Sequence, residues 1–512
     1  MKRTLILCLS AFVLILTGCS SRMVYDPNAQ YYNPSNNNNN YNDSETEEYQ
    51  EIYENDFIKT TDMPVSTFSA DVDTAAYSII RRKLMENVMP NQNAVRIEEM
   101  LNYFSYDLDG PNENEVIHVT QEMSVAPWNE DHQLLMIGLK TQEIVFSETV
   151  ANNIVFLLDT SGSMSSEDKL PLLKSAIRLL INQLRPIDRI SIVVYAGAAG
   201  VVLDGADSND KEDILDAIDA LEAGGSTAGG AGIELAYGLA EKHFIEGGNN
   251  RVILGTDGDF NVGVSTQIGL ETLITEKRET GIFLSVLGFG QGNIKDNKME
   301  VLADKGNGVY HYIDSILEAK KVFVEELGGS LVTVAKDVKL QIEFNPLHVK
   351  GYRLIGYENR LLDYEDFDDD QKDAGDMGAG HEVIALYEII PAGSTEEIES
   401  KEYTKPTELK YDGVNNPLEL MTLSIRYKLP DSDTSTKTEH VFLVSDITDS
   451  PSENFLFAAS VAEFGLLLRD SVYKYNASYT NIIARVNALT QIDDYKEEFV
   501  ILVQKAAQLT DK

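Results

Sequence analysis

Between residues 153 and 312, apolar segments of strand length alternate with amphipathic segments of helix length, and this alternation limits the fold more than any other feature of the chain. The apolar runs are residues 154–158, 189–195, 201–203, 252–254 and 282–287. Helical periodicity occurs over residues 169–184, 211–221, 230–243, 268–280 and 297–305. Apolar strands interleaved with amphipathic helices indicate a doubly wound α/β domain, in which helices cover both faces of a mostly parallel sheet. We place this domain at residues 151–322.

Beyond residue 322 the period changes from helical to two. Alternating segments at residues 338–344, 382–390, 420–427 and 439–444 predict an antiparallel β-rich domain over residues 323–450. Two further alternating segments, 116–126 and 133–140, lie upstream of the α/β domain, and we expect them to join the β-rich domain. Trp128 lies between these two segments and is interpreted as a packing anchor.

Helical periodicity marks both flanks of the chain. In the N-terminal extension, residues 56–150, we predict a helix from about residue 75 to residue 85, with Asp73 or Thr74 as its N-cap, and a second helix over residues 96–104. Asp71 and Asp73 could alternatively ligate a metal ion. The C-terminal segment, residues 451–512, is predicted to be helical, and the buried stripe of its first helix would comprise Phe455, Phe457, Ala458, Val461, Phe464 and Leu468.

The first residues of the chain have the pattern of a secretory signal peptide. Lys2 and Arg3 precede an apolar run that is too short to span a bilayer comfortably, and the run ends at Leu-Thr-Gly-Cys19. This tetrapeptide resembles the bacterial lipobox. The resemblance implies that residues 1–18 are removed and that Cys19 is lipidated, for example with palmitate. An ordinary secreted protein that is cut elsewhere is the alternative.

The segment after Cys19 is expected to be a disordered tether. Residues 19–55 are poor in core-forming side chains and include an uninterrupted run of asparagines at 36–40. A lipid-anchored chain would reside in the cell envelope, on an outer membrane or on the outer face of the cytoplasmic membrane. Ser20 provides no acidic retention signal. The only cysteines are Cys8 and Cys19, so the mature chain would contain no disulfide.

The charge balance limits the possible partners. The chain has 42 basic and 83 acidic residues, a net charge of −41, and removal of residues 1–18 takes away two basic residues and gives 40 − 83 = −43. Such an acidic chain is a poor match for nucleic acid or for an anionic membrane surface, whereas it attracts cations. The oligomeric state is not specified by the sequence.

A candidate cation site follows the first strand of the α/β domain. Asp159, Ser161 and Ser163 come directly after residues 154–158, and ligands of open α/β sheets bind at the carboxyl ends of the strands. Hard cations such as Mg²⁺ prefer oxygen ligands. A ligand set with several neutral hydroxyls leaves the ion with residual positive charge, which would attract an anionic group from outside.

The motif Asp159-Thr-Ser161-Gly-Ser163 resembles the metal-ion-dependent adhesion site of von Willebrand factor type A domains. The family's Thr in a Gly-rich loop corresponds to Thr227, and its later Asp corresponds to Asp257. The resemblance implies a doubly wound fold, a bound Mg²⁺ (or Mn²⁺ or Ca²⁺) and a protein partner that offers a Glu or Asp to the metal. Residues 65–105 and 330–505 also resemble the extensions of a bacterial lipoprotein subfamily that carries this domain.

Other interpretations of these residues remain open. Ser161 or Ser163 could simply cap the following helix. The metal could stabilise a structural envelope protein without contacting a binding partner. It could also activate water in a hydrolase, for which Asp259 is the only obvious general base. We expect no enzyme, because no catalytic motif was found. The acidic run 363–373 is interpreted as a solvated loop, with Ca²⁺ binding as the alternative.

Overall fold

The structure is a computed structural model that describes most of the chain from residue 47 onward. The described residues are 47, 49–70, 73–113, 115–143, 150–225, 229–258, 267–291, 296–326, 333–412, 416–430, 432 and 434–510. All of them belong to one compact unit, Glu45–Lys512. The predicted signal peptide, Cys19 and most of the predicted tether lie outside the described residues. In the part of the chain that is described, no helix combines the length and apolarity that a membrane crossing needs.

The strands of the described residues are numbered in chain order. They are β1 (Ile58–Lys59), β2 (Val65–Ser69), β3 (Ile117–Ala126), β4 (Asn129–Thr141), β5 (Asn152–Asp159), β6 (Arg189–Tyr195), β7 (Ala199–Ala206), β8 (Asn249–Thr256), β9 (Ile282–Phe289), β10 (Tyr310–Ile313), β11 (Thr333–Phe344), β12 (Val349–Ile355), β13 (Gly375–Gly378), β14 (Glu382–Pro391), β15 (Glu419–Lys428) and β16 (Ser435–Leu443).

The helices are numbered in the same way. They are α1 (Ala75–Met85), α2 (Ile97–Asn102), α3 (Leu170–Gln183), α4 (Lys211–Asp219), α5 (Gly229–Lys242), α6 (Gln267–Glu279), α7 (Asp296–Lys305), α8 (Ile316–Lys320), α9 (Glu453–Leu468), α10 (Tyr479–Asn487) and α11 (Asp494–Thr510).

The central sheet confirms the predicted α/β fold. Its strand order is β10-β9-β8-β5-β6-β7, and every neighbouring pair is parallel except β6 and β7. All five predicted strands are present, whereas the short β10 was not predicted. The sheet is therefore mostly parallel, with an antiparallel strand at one edge.

Helices cover both faces of this sheet. In β5, Val155 and Leu157 pack against α5, α6 and α7, whereas Phe156 and Leu158 pack against α3 and α4. Both faces are buried, which explains why the strand sequences are continuously apolar. Helix α1 of the N-terminal extension also contributes Ala75 to the first of these two cores.

The β-rich part of the molecule consists of two antiparallel sheets packed face to face. One sheet has the order β1-β12-β14-β4-β3, and the other has the order β13-β11-β15-β16, with β2 also paired to β11. The predicted participation of the upstream segments is confirmed, because β4 pairs with β14 along its length. Side chains from both sheets form one hydrophobic core. The flanks on either side of the α/β domain thus share their sheets.

The C-terminal helices cover the outer face of the first of these sheets. All six residues of the predicted stripe of α9 are buried. The rest of the C-terminal segment, also predicted to be helical, forms α10 and α11 with a turn between them. In this turn the backbone amides of Thr490 and Gln491 donate hydrogen bonds to Glu453 on α9. Trp128 is fully buried, and its Nε1 donates to Glu388, as expected of a packing anchor.

The predicted side-chain cap of α1 is wrong. Thr74 occupies the N-cap position but makes no capping hydrogen bond with its side chain, and its hydroxyl lies 3.2 Å from Nδ1 of His311. The carboxylate of Asp73 accepts from the backbone amide of Tyr310. Glu99 instead accepts a hydrogen bond from the amide of Ala76 in the first turn, at 2.7 Å. A side chain distant in sequence has replaced the local cap. Asp71, the other carboxylate considered there, lies outside the described residues.

The packed part of the chain starts upstream of residue 55, where we placed the end of the tether. Glu47 forms ion pairs with Arg82 and Lys83 on α1, at 2.9 and 3.0 Å. The side-chain amide of Asn55 donates to the carbonyl of Leu354 on β12. Ion pairs and hydrogen bonds fasten this segment, together with Tyr49, whose side chain packs against a core of the α/β domain. Because most of these side chains are polar, the composition of the segment did not distinguish it from the tether.

The acidic run 363–373 is a largely exposed loop, as interpreted, and it is also held by ion pairs and hydrogen bonds. Asp368 pairs with Arg426, and the Nζ atom of Lys428 donates to the carbonyl of Asp370. Basic side chains of the β-rich sheet thus hold the loop. No group of three or more acidic, His or Cys side chains suited to a metal ion occurs among the described residues, here or elsewhere.

Candidate metal centre

The carboxyl ends of two neighbouring parallel strands bring the two candidate aspartates to one edge of the central sheet. Asp159 is the last residue of β5, and Asp257 follows the last residue of β8 directly. The two strands are paired from Asn152 to Leu158. Both aspartates are buried, with exposed fractions of 0% and 1%. Two carboxylates therefore meet at the end of the sheet where ligands of such folds bind.

The loop after β5 turns its two serines towards each other. The backbone amide of Ser161 donates to Oδ1 of Asp159 at 2.8 Å, and the hydroxyls of Ser161 and Ser163 lie 2.9 Å apart. Ser161 is 2% exposed, whereas Ser163 is exposed to solvent. The loop thus presents one carboxylate and two hydroxyls, with a route to the surface.

The Gly-rich loop that carries Thr227 is fastened to the Asp159 loop. The amide of Gly162 donates to the carbonyl of Gly225 at 3.1 Å, and the amide of Gly224 donates to the carbonyl of Thr160 at 2.7 Å. Gly225 has φ +86°, a conformation that favours glycine. Thr227 itself lies outside the described residues, so its position as a ligand stays a prediction.

Neither serine caps the helix that follows. Ser161 precedes the short 3₁₀ turn Gly162–Ser165 and makes no capping hydrogen bond with its side chain. Lys169 occupies the N-cap position of α3, where its side chain makes no capping hydrogen bond either. The capping interpretation of this motif is therefore wrong, and the serine hydroxyls are oriented by the loop.

The electrostatics of Asp159 fit a cation. Burial raises the pKa of the Asp159 carboxyl to about 6, hydrogen bonds from Ser161 oppose the rise, and the neighbouring Asp257 adds to it. The Oδ2 atom of Asp159 is buried and makes no well-formed hydrogen bond with the described residues, although the nearby hydroxyl of Tyr195 also helps to lower the pKa of this carboxyl. A buried carboxylate oxygen in this state is costly unless an additional group satisfies it. The candidate ligands beside it, the hydroxyls of Ser161 and Ser163, are oxygen groups, which hard divalent cations prefer.

A lysine that the sequence analysis missed also belongs to this centre. The Nζ atom of Lys169 lies 2.9 Å from Oδ2 of Asp257 and donates to the carbonyl of Ser163 at 3.0 Å. The sequence contains no signal for this contact, because Lys169 resembles any polar residue at the start of an amphipathic helix. The structure thus brings together Asp159, Ser161, Ser163, Asp257 and this additional ammonium group.

Three sequence-family models each match one segment of the chain. The sequence model described as "von Willebrand factor type A domain" matches residues 153–324, the one described as "von Willebrand factor" matches residues 43–136, and the one described as "Uncharacterized protein YfbK, C-terminal" matches residues 329–509. The Uncharacterized protein YfbK of Escherichia coli is 41% identical over 475 residues, which cover 91% of this chain and 82% of the relative. The chain belongs to the YfbK family. The central domain of this family member is a von Willebrand factor type A domain.

Other similar proteins match this chain over a shorter stretch or at lower sequence identity. An inter-alpha-trypsin inhibitor heavy chain of Homo sapiens is 28% identical over 203 residues, covering 36% of this chain and 21% of that protein. A solved structure, "von Willebrand factor type A from Catenulispora acidiphila", has a TM-score of 0.41 and 17% identity, with 76% of this chain and 88% of that chain covered. The von Willebrand factor type A domain points to protein–protein interaction or adhesion, and such domains are mostly not enzymes.

Proposed function

We propose that this YfbK family member is a lipid-anchored envelope protein that binds a protein partner through a divalent cation held by its von Willebrand factor type A domain. The observation that carries the proposal is the convergence of the buried Asp159 carboxylate with the hydroxyls of Ser161 and Ser163 at the carboxyl end of β5, beside the second buried carboxylate, Asp257.

Several side chains of the domain would hold the cation together. Asp159, Ser161, Ser163 and Thr227 would contact Mg²⁺ directly or through water, with Asp257 close by or hydrogen-bonded to a ligand. Mn²⁺ and Ca²⁺ are alternatives, because all of these ligands are oxygens. A bound cation would supply a positive centre that accepts a carboxylate oxygen from a Glu or Asp of the partner.

The charge of the chain favours a localised contact. With a net charge of −41, or −43 after removal of residues 1–18, the protein repels an acidic partner over most of its surface. Exposed Ser163 lies at the rim of the centre, where a partner's carboxylate would approach. The field of the cation would therefore determine where an acidic partner makes contact.

The experiment is a capture assay from envelope extract, with wild-type protein and Asp159→Ala, each with Mg²⁺ and with chelator. We expect a partner that is captured by the wild type with Mg²⁺ and is lost in chelator and in the variant. Capture that survives both changes would contradict the adhesion site and favour a metal that only stabilises the fold. A chelator-sensitive hydrolytic activity towards phosphoesters or peptides would instead favour the hydrolase alternative.

Lipidation at Cys19 is the second part of the proposal. It rests on the sequence Leu-Thr-Gly-Cys19, which follows an apolar run of signal-peptide length. In cells, the wild type is expected in the membrane fraction and to incorporate labelled palmitate, whereas Cys19→Ser should lose the label. A Cys19→Ser variant that still carries the label would overturn the anchor.

A further inference from the structure

Lys169 extends a positive charge into the candidate metal centre from the start of α3. The residue is 8% exposed, and its Nζ atom donates to two groups of the centre, the carboxylate of Asp257 and the carbonyl of Ser163. A lysine ammonium is rarely buried unless it is paired. Its position between these two residues is therefore a specific arrangement of this site.

The glycine at the end of β9 leaves room for the methylene chain of Lys169. Gly290 follows β9 with φ +80°, and a Cβ atom placed there would lie 2.1 Å from Cε and 2.5 Å from Cγ of Lys169. A residue with a side chain could not occupy this position without displacing the lysine. The close fit of the methylene chain and the two hydrogen bonds of its ammonium group fix the position of the charge.

We infer that Lys169 is a positioning residue that holds Asp257 and tunes the affinity of the centre for a divalent cation. The inference rests on the proposed function, because it concerns the same site. Two carboxylates and one ammonium have a net charge of −1, so a divalent ion would bring the centre to +1. Without the lysine, the same ion would bring it to zero.

This charge difference has two consequences. The ammonium would repel a bound cation and lower its affinity, because like charges in a partly buried site interact strongly. It also leaves the occupied centre with positive charge that attracts a carboxylate. The lysine would thus weaken the binding of metal and strengthen the binding of an acidic ligand to the occupied centre.

The experiment is calorimetric titration of the full chain with Mg²⁺, using wild type, Lys169→Met and Lys169→Arg. We expect Lys169→Met to bind Mg²⁺ about tenfold more tightly than the wild type, a difference of about 1.4 kcal/mol. Lys169→Arg keeps the charge and should stay near the wild-type Kd. The matched control is Lys174→Met on α3, because Lys174 donates to the backbone carbonyls of Asp219 and Leu221 and pairs with no carboxylate among the described residues.

Tighter binding is an effect that mere structural damage would not produce. An unchanged or weaker Kd in Lys169→Met would overturn the inference, as would equal tightening in Lys174→Met. If the wild type and Asp159→Ala bind Mg²⁺ with equal affinity, Asp159 is not a ligand of the ion, and the proposed function is contradicted. If the wild type binds no Mg²⁺, binding gained in Lys169→Met would support the inference, and no binding in either protein would overturn it.

Discussion

Buried carboxylates gather around a few arginines where the N-terminal extension contacts the α/β domain. Arg96 is 3% exposed and pairs with Asp296 at 2.6 Å and with Glu99, while Glu300 lies 3.9 Å from its Nη1 atom. Burial raises the pKa of Glu99 and of Glu300 to about 7, although Arg96 opposes the rise in both cases. These carboxyl groups therefore take up protons in the folded protein at pH values where the unfolded chain is ionised.

The stability of the protein should fall as the pH rises from about 5 to about 8. The folded state binds more protons than the unfolded state in this window, so raising the pH favours unfolding, by about 1–3 kcal/mol per group. Glu300→Gln mimics the protonated side chain and should flatten the dependence, whereas Glu212→Gln, at an exposed position of α4, should leave it unchanged. Chemical unfolding at several pH values measures this. An equally steep dependence in Glu300→Gln would contradict the role of this carboxyl group.

At the scale of residues, the sequence predicted that the candidate ligands lie together, but it did not predict the side chains that surround them. The spacing of Asp159, Ser161 and Ser163 after an apolar strand was sufficient to place them on one loop. The contacts of Lys169 could not be predicted, since they depend on how α3 and β9 pack. Similarly, the hydrogen bond from Ala76 to Glu99 replaces the predicted cap because it joins helices that meet only in the folded chain.

At the scale of elements, strong periodicity was predictive and short strands were not. The apolar strands β5, β6, β8 and β9 were identified because their sequences are continuously hydrophobic. In contrast, β2 consists of Val-Ser-Thr-Phe-Ser and is fully buried, so its polar side chains concealed it. Strand β12 was missed because both of its faces are covered, which removes the alternation of an exposed strand.

Helix α9 illustrates how much an element can depend on its partners. Phe464 is fully buried, and its ring lies edge-on against the ring of Phe499 on α11, with 5.4 Å between the centroids. We expect Phe464→Ala to lower the free energy of unfolding by about 3–5 kcal/mol, because it leaves a cavity between these helices. Leu467→Ala on the same helix, at a half-buried position, should cost only about 1 kcal/mol. Urea unfolding of both variants checks this, and equal losses would argue against the packing described.

At the scale of the whole molecule, the chain folds its two flanks together around the inserted α/β domain. The sheets of the β-rich part need β2 and β4 from the N-terminal side, since β11 pairs with β2 and β14 pairs with β4. The sequence could place these segments in one domain from their alternation. It could not show the strand order, because pairing between segments more than 200 residues apart leaves no local pattern.

Residues 333–510 should therefore not fold when they are produced alone. Without β2 and β4, the strands β11 and β14 would expose unpaired edges, and such edges promote aggregation. Co-expression with residues 49–143 is expected to restore a soluble complex with a cooperative thermal transition. Circular dichroism and size-exclusion chromatography measure the outcome. A cooperative transition in residues 333–510 alone would contradict the shared sheets.

Thermal unfolding with and without Mg²⁺ measures whether Asp159 holds a divalent cation. Ligand present at about 100 times its Kd stabilises a folded protein by about 2.7 kcal/mol, so the Tm of the wild type should rise by a few degrees. A suitable control is Asp188→Ala, because Asp188 is also buried but lies next to the opposite end of the strands, beside the amide of Asn152. We expect Mg²⁺ to raise the Tm of the wild type and of Asp188→Ala but not that of Asp159→Ala. An equal rise in Asp159→Ala would contradict the binding of a cation by Asp159.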